Sequence, residues 1–393
     1  MTRTIIDIHI LQTVPPSNVN RDDTGSPKTA VFGGVRRARV SSQAWKRATR
    51  LAFDSLLDRS ELGVRTKRVV ELVAERIGEL RPELTERAAD LAFDAVAGTG
   101  LKPETGKRAK GGDESADDAD TKYLVFLSRL QIDRLAEVAI EVADERDRPA
   151  ALKAHKVKDM LKTGHSVDLA LFGRMVADVP DFNVDACAQV AHAISVHAVD
   201  NEYDYFTAVD DVKQASEDED AGAGMIGTVE FNSSTLYRYA TLDADRLQES
   251  LGDGAATRRA VEAFVEAFVE SMPTGKQNTF ANRTLPDAVV VMVRDTQSVN
   301  LVGAFEDAVT AQNGTTRLEV AARRLAERAV EVADVLGQTP ITTWAVAVGG
   351  ARLGLGGASQ DGGPAGLPAE WTTLPHLYGA VGEVVADRLG VPR

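Results

Sequence analysis

Phe32-Gly-Gly-Val-Arg-Arg-Ala-Arg-Val-Ser-Ser-Gln-Ala-Trp-Lys-Arg47 holds a glycine break, a strand and a helix start in sixteen residues. Gly33-Gly34 interrupts the chain. Val35–Val40 then alternates so that Val35, Arg37 and Arg39 share one face, and Ser41-Ser42 supplies hydroxyls that cap a helix beginning at Gln43. Trp45, Ala48, Leu51, Ala52 and Leu56 form the apolar stripe of that helix. Lys46, Arg47 and Arg50 fall on roughly the opposite side, as a step of about 100° per residue requires.

The charge around this stretch is inverted relative to the rest of the chain. Between Arg21 and Arg50, eight basic residues (Arg21, Lys28, Arg36, Arg37, Arg39, Lys46, Arg47, Arg50) stand against Asp22 and Asp23, a net +6. The whole chain carries −14 over 393 residues, so everything outside sums to −20. An acidic body with one concentrated basic segment points to a localised anion site. Arg37 and Arg39 lead into a helix start with free N–H groups and two hydroxyls, and Lys46, Arg47 and Arg50 follow on the next turns. Arginine forks and helix N-termini hold phosphates and position a nucleic acid without reading its sequence. Only 5% of the residues are aromatic, which favours clamping of the backbone over stacking of bases.

Outside this segment, Arg3–Val14 alternates as a half-buried strand. Amphipathic helices are expected at about 67–97, 122–146 and 150–161, with strands at Val167–Phe172 and Gln189–Val199. Met225–Thr241 reads as a hairpin or paired strands. A strand at 288–293, helices at 299–311 and 315–336, a strand at 343–348 and a last helix at 374–389 follow. The stretches 102–121 and 213–224 are polar and expected to be mobile, the second carrying the run Glu217-Asp-Glu-Asp220. Gly349–Gly366, with eight glycines, reads as a flexible loop. Helices clustered between strand pairs favour an α+β domain with insertions over a doubly wound sheet.

Several chemistries are excluded or unsupported. The single Cys187 rules out a disulfide framework or a multi-cysteine metal site. His192 and His197 are badly spaced for a shared metal. Thr274-Gly-Lys-Gln277 lacks the glycine and hydroxyl of a phosphate loop that holds a nucleoside triphosphate. No apolar run approaches the roughly 20 residues of a membrane helix, and the N-terminus lacks a signal-peptide core. A soluble cytoplasmic protein with no metal, no cofactor and no membrane contact is expected.

The stretch Asn20-Arg-Asp-Asp-Thr-Gly-Ser-Pro-Lys28, followed by Phe32–Arg47, resembles the N-terminal signature of the CasC (Cse4) family, the backbone subunit of the type I-E CRISPR surveillance complex Cascade. Val167–Met175, Ala191–His197, Tyr205–Asp211, Gly227–Tyr239 and Gly275–Phe280 match in the same order. The resemblance implies an RRM-like (ferredoxin-like) palm over 1–66 and 163–348, a helical finger inserted at 67–162, and a β-hairpin thumb at about 200–230. The Gly-rich loop and C-terminal helix occupy 349–393. It also implies a non-catalytic subunit that polymerises along the spacer of the CRISPR RNA and presents it for pairing with target DNA. Its partners would be further copies of itself, the large, small and RNA-end-binding subunits, and a recruited helicase–nuclease.

Arg21, Lys28, Ser41, Gln43, Lys46 and Arg50 match family positions that hold the RNA backbone, and Arg37 and Arg39 are added on charge and geometry. Ser42, Arg47 and Lys276 complete the expected set. The resemblance also implies that Met175 packs against RNA and that Phe206 and Thr207 prop open a kinked base. From the residues alone, Met175 reads as a gap-filler and Phe206 as a hairpin core residue. A metal-dependent ribonuclease using Asp22 or Asp23, like backbone subunits of type III CRISPR complexes, and a free-standing RNA-binding regulator are the alternatives.

Overall fold

The computed structural model describes residues 3–104, 119–176, 179–208, 225–311, 314–356 and 366–391. Most of the polar stretch 102–121, and all of 213–224 with its acidic run, lie outside the described residues. Two compact units form, Met1–Ala52 with Val190–Thr241 and Phe264–Val381, and Phe53–Gln189 with Leu242–Ala263 and Gly382–Arg393. The fold is α+β, with a large mixed sheet and helices.

Strand β1 (Ile5–Ser17) lies inside the sheet of the first unit. From one edge the order is Glu370–Trp371, Thr342–Ala347, Ala288–Arg294, β1, Met225–Asp243, Ala193–Ser195, β3 (Val35–Val40) and β2 (Thr29–Phe32). Thr342–Ala347 and Glu370–Trp371 run parallel, whereas β1 is antiparallel to Ala288–Arg294. The strand Met225–Asp243 pairs with Ala193–Ser195 within the sheet, and its first residues pair with Glu202–Ala208 as a hairpin. The expected strand 189–199 is two strands of three residues, Ala188–Val190 and Ala193–Ser195.

The half-buried reading of β1 is overturned. Ile6, Ile8 and Ile10 on one face and Asp7, His9 and Leu11 on the other are all buried. Helix Arg317–Leu336 covers the Leu11 face through Ala322, Leu325 and Ala326. On the other side of the sheet, the buried Arg238 guanidinium lies 3.8 Å from the ring of Trp45 and 4.7 Å from that of Phe268. Asp7 is tolerated on the Leu11 face because its bonds are made within it. Asp7 accepts from Arg294 Nε at 2.9 Å, Tyr239 OH at 2.8 Å and the Val299 N–H at 2.9 Å. Burial nonetheless raises its carboxyl above the usual range.

Three expected elements change type. Val167–Phe172 is a helix, not a strand, started after Ser166 and stopped at Gly173 with φ +75°; six residues, apolar except Asp168, are too short for a period that separates the two. Only the turn Val302–Phe305 of the expected helix 299–311 is helical. Gly349–Gly356 is a helix, and 357–365 lies outside the described residues. Its glycines serve contact: a Cβ on Gly354 would stand 2.3 Å from the Glu319 carbonyl oxygen, and one on Gly350 2.8 Å from Thr316 Oγ1.

The second unit contains the segment expected as the helical insertion, 67–162. Val69–Leu80, Ala88–Gly98 and Arg129–Glu141 surround a core of Val73, Ile77, Leu91, Ala95, Leu135 and Ala139. The expected helix 67–97 is divided near Pro82, which lacks the N–H that would continue it.

His197 gives a pH prediction. Its Nδ1–H donates to the Ala198 carbonyl at 2.8 Å, and its Nε2 accepts from the Thr235 N–H at 3.1 Å and Arg317 Nη1 at 2.9 Å. Burial, aided by Arg317 and Arg37, pushes the imidazole down to about 4. Above the unfolded value of about 6.5 the contribution is complete. As pH falls from there toward 4, the unfolded state takes up the proton first, costing roughly 1.4 kcal/mol per pH unit from this group. Urea unfolding at pH 7, 6 and 5 should show that slope, and His197→Gln should flatten it.

Candidate nucleic-acid interface

The basic hairpin is built by backbone necessity. Phe32 pairs with Val35, leaving the two-residue turn Gly33-Gly34 with φ of +59° and +76°, the sign that such hairpin turns require at both positions. A Cβ on Gly33 would lie 1.7 Å from the Glu306 carbonyl oxygen. The turn is seated on that carbonyl, and Arg37 is sealed beneath it. The Arg37 guanidinium donates to the carbonyls of Phe32 (3.2 Å), Ser195 (3.0 Å), Phe305 (3.0 Å) and Glu306 (3.0 Å), and the residue is 0% exposed. Arg37 is therefore a structural arginine and leaves the expected phosphate-binding set. Arg39, two residues on, is half-buried and anchored through Nε to the Thr29 carbonyl at 3.2 Å.

Helix α1 (Ser42–Leu56) begins where the sequence places it, but its buried stripe differs. Trp45, Thr49 and Phe53 are buried at i, i+4, i+8, whereas Leu51 is 45% exposed. Gln43 and Arg47 are exposed and Lys46 and Arg50 half-buried. This i, i+3, i+4, i+7 set lies on one face. Partial burial lowers the Lys46 ammonium below its usual value.

Three N–H groups at the start of α1 are satisfied by protein groups. Ser41 Oγ accepts from the Ala44 N–H at 3.3 Å, Asn20 Oδ1 from the Ser41 N–H at 2.9 Å, and His192 Nδ1 from the Ser42 N–H at 3.2 Å. Ser41 is thus a buried cap, and the N–H groups of Ser41, Ser42 and Ala44 are already occupied.

The loop preceding β2 is equally organised. Asp22 Oδ1 accepts from the Thr24 and Ser26 N–H groups and from Thr24 Oγ1. The Thr24 hydroxyl, then these amides, hold its carboxyl below the usual range. The Lys28 N–H donates to the Asn20 carbonyl at 2.9 Å and the Arg39 N–H to the Lys28 carbonyl at 2.8 Å, so Lys28 is held beside Arg39 while Arg21 stays exposed.

Two further segments meet this loop. Asn18 Nδ2 donates to the carbonyls of Gly25 (2.9 Å) and Glu230 (3.0 Å), tying the loop to the base of the hairpin. A Cβ on Gly275 would lie 2.0 Å from the Val19 carbonyl oxygen, which brings Lys276, left-handed at φ +50°, against the same loop. Along the hairpin every side chain from Glu202 to Thr207 is exposed. Phe206, 43% exposed, lies across Gly227, where a Cβ would come within 2.5 Å of its ring. Tyr203 and Tyr205 stand exposed on the alternate face of the strand.

Met175 belongs to the second unit. Arg174 and Val184 exchange backbone hydrogen bonds at 2.9 and 2.8 Å, and the Val176 N–H donates to Asn183 Oδ1 at 2.7 Å. Between these fixed neighbours the thioether is 84% exposed, so Met175 is no gap-filler of a core. Asn18, Asn20, His192 and Gly275 were invisible to spacing, because their partners lie up to 256 residues away (Gly275 and Val19). The aromatic alternation Tyr203–Tyr205 was readable. Among the described residues no group of three or more His, Cys, Asp or Glu could hold a metal, and no helix is long and apolar enough to cross a membrane.

The model of a protein family described as "CT1975-like protein", Cas_CT1975, matches residues 6–360. A solved chain of a "CRISPR RNA-guided surveillance complex, pre-nicking" is similar at 34% identity with a TM-score of 0.76, covering 97% of this chain and 100% of that one. A chain of a second "CRISPR RNA-guided surveillance complex" is similar at 30% identity with a TM-score of 0.66, covering 97% and 99%. No curated protein matches.

Proposed function

Because the chain belongs to the CT1975-like (Cas_CT1975) family, we propose that it is a non-catalytic backbone subunit of a type I-E CRISPR surveillance complex in the cytoplasm. On this reading the sheet unit is an RRM-like palm, residues 67–162 the finger, and the hairpin from Glu202 the thumb. Copies line up along the CRISPR RNA beside large, small and RNA-end-binding subunits. Guide pairing reads the target DNA, the protein holds shape and backbone, and a recruited helicase–nuclease cuts.

The observation that carries the reading is the junction at Asn18–Val19. It joins the loop of Arg21 and Lys28, the Lys276 loop and the base of a hairpin whose outer strand is exposed from Glu202 to Thr207. Cations and an exposed apolar edge together suit a backbone clamp with a wedge. The test is co-purification: the protein should carry several copies of itself and RNA of one discrete length. A monomer without RNA would overturn the reading. Incubation with complementary RNA and magnesium should leave the RNA intact; periodic cuts lost in Asp22→Ala or Asp23→Ala would make it a ribonuclease.

A second prediction concerns Phe206. Holding a base out of its stack costs a few kcal/mol, which an apolar wedge offsets. Phe206→Ala should leave the melting temperature of the RNA-free protein within about a degree, because the ring sits on an exposed strand and covers one glycine. It should blur the regular spacing of displaced bases in nuclease footprints of the assembly. A sharp footprint beside a destabilised monomer would make Phe206 a packing residue.

A further inference from the structure

His192 is outside the expected binding set, yet its ring joins two parts of the interface. Its Nδ1 accepts from the Ser42 N–H at 3.2 Å and from Arg39 Nη1 at 3.4 Å. Neither a backbone amide nor a guanidinium can accept, so the ring proton sits on the other nitrogen, Nε2. The side chain is exposed, and the groups charged around it are cations, Arg39 from β3 and Lys28 from the preceding loop. Desolvation first, then these two cations, lowers its pKa, which keeps the ring neutral.

We propose that His192 is an RNA-contacting residue: a neutral imidazole, locked by Ser42 and Arg39, donates its Nε2–H to a backbone phosphate of the bound RNA. The inference rests on the RNA-binding reading above and adds to it a donor that gives direction without charge. A cation at this position would repel Arg39 and Lys28; a neutral ring with a fixed tautomer does not.

The test uses the full chain and a labelled single-stranded RNA over a salt series. His192→Asn keeps an acceptor where Nδ1 stands and removes the donor at Nε2. Its melting temperature should stay near that of the wild type while Kd rises about tenfold or more, the worth of one hydrogen bond from a neutral donor to a charged phosphate. The slope of log Kd against log salt should not change, because no counterion is released by a neutral group. Lys28→Ala, as reference, should lower that slope by about 0.7. His192→Gln, whose amide nitrogen reaches the Nε2 position, should regain most of the lost affinity.

Unchanged affinity in His192→Asn overturns the proposal, as does a fall in slope matching Lys28→Ala, which would mean a charged imidazolium. Affinities that track melting temperature across the variants would make His192 structural only. Displacement of RNA by equimolar inorganic phosphate would make the contact an ion site instead. If the wild-type chain binds no RNA at all, it is the broader reading that fails.

Discussion

Arg37→Ala is expected to cost about 3–4 kcal/mol of folding stability and to leave the RNA affinity of the folded protein unchanged. The guanidinium donates to four carbonyls, those of Phe32, Ser195, Phe305 and Glu306. Removing it takes a charged donor from each of those oxygens, and buried groups left short of donors cost more than the net worth of the bonds that served them. The damage should spread to the Gly33-Gly34 turn, which rests on the same Glu306 carbonyl. Lysine cannot replace the planar fork, so Arg37→Lys should recover less than half of the loss. Urea unfolding measures the first effect and RNA titration of the folded fraction the second. A stable Arg37→Ala protein with weakened RNA binding would show that the side chain contacts phosphate after all.

Removing three charges together should have the largest effect on binding. Lys28→Ala/Lys46→Ala/Arg47→Ala is expected to weaken RNA affinity by about a hundredfold or more, at roughly 1–2 kcal/mol per charge-assisted contact. The salt slope should fall by about 2, since each lost single-strand phosphate contact removes about 0.7. The loss should be equal on unrelated RNA sequences, because phosphates carry none. Arg47 is exposed and Lys46 and Lys28 half-buried, so the melting temperature should change little. Losses that differ strongly between sequences would mean that these residues read bases.

The contrast between Arg37 and Arg39 shows what the sequence makes legible. Alternation assigned both to one strand face, and that face is common to them. Whether a face is open depends on what covers it, and the cover for Arg37 comes from residues 305–306, far along the chain. The same gap explains β1: period-two alternation suggested one wet face, but the partners of Asp7 are Tyr239, Arg294 and Val299. Charge density and the helix start at Ser41-Ser42 were readable because each is local, whereas Met225–Thr241, expected as a hairpin or paired strands, is part of one strand whose hairpin partner is Glu202–Ala208. The glycines of 349–356 misled, since glycine marks close packing as readily as freedom, and only the neighbouring helix distinguishes the two.

The strand Met225–Asp243 carries one register from the sheet into the hairpin without a break. Side chains along it alternate, so their parity is conserved over the whole length. One residue inserted between Glu230 and Leu236 would invert the side chains from Gly227 to Glu230 relative to the sheet and turn Gly227 out from beneath Phe206. Two inserted residues would restore parity and add about 7 Å of strand. The hairpin's reach can therefore be lengthened or shortened only in steps of two residues, which makes it a ruler with a fixed graduation.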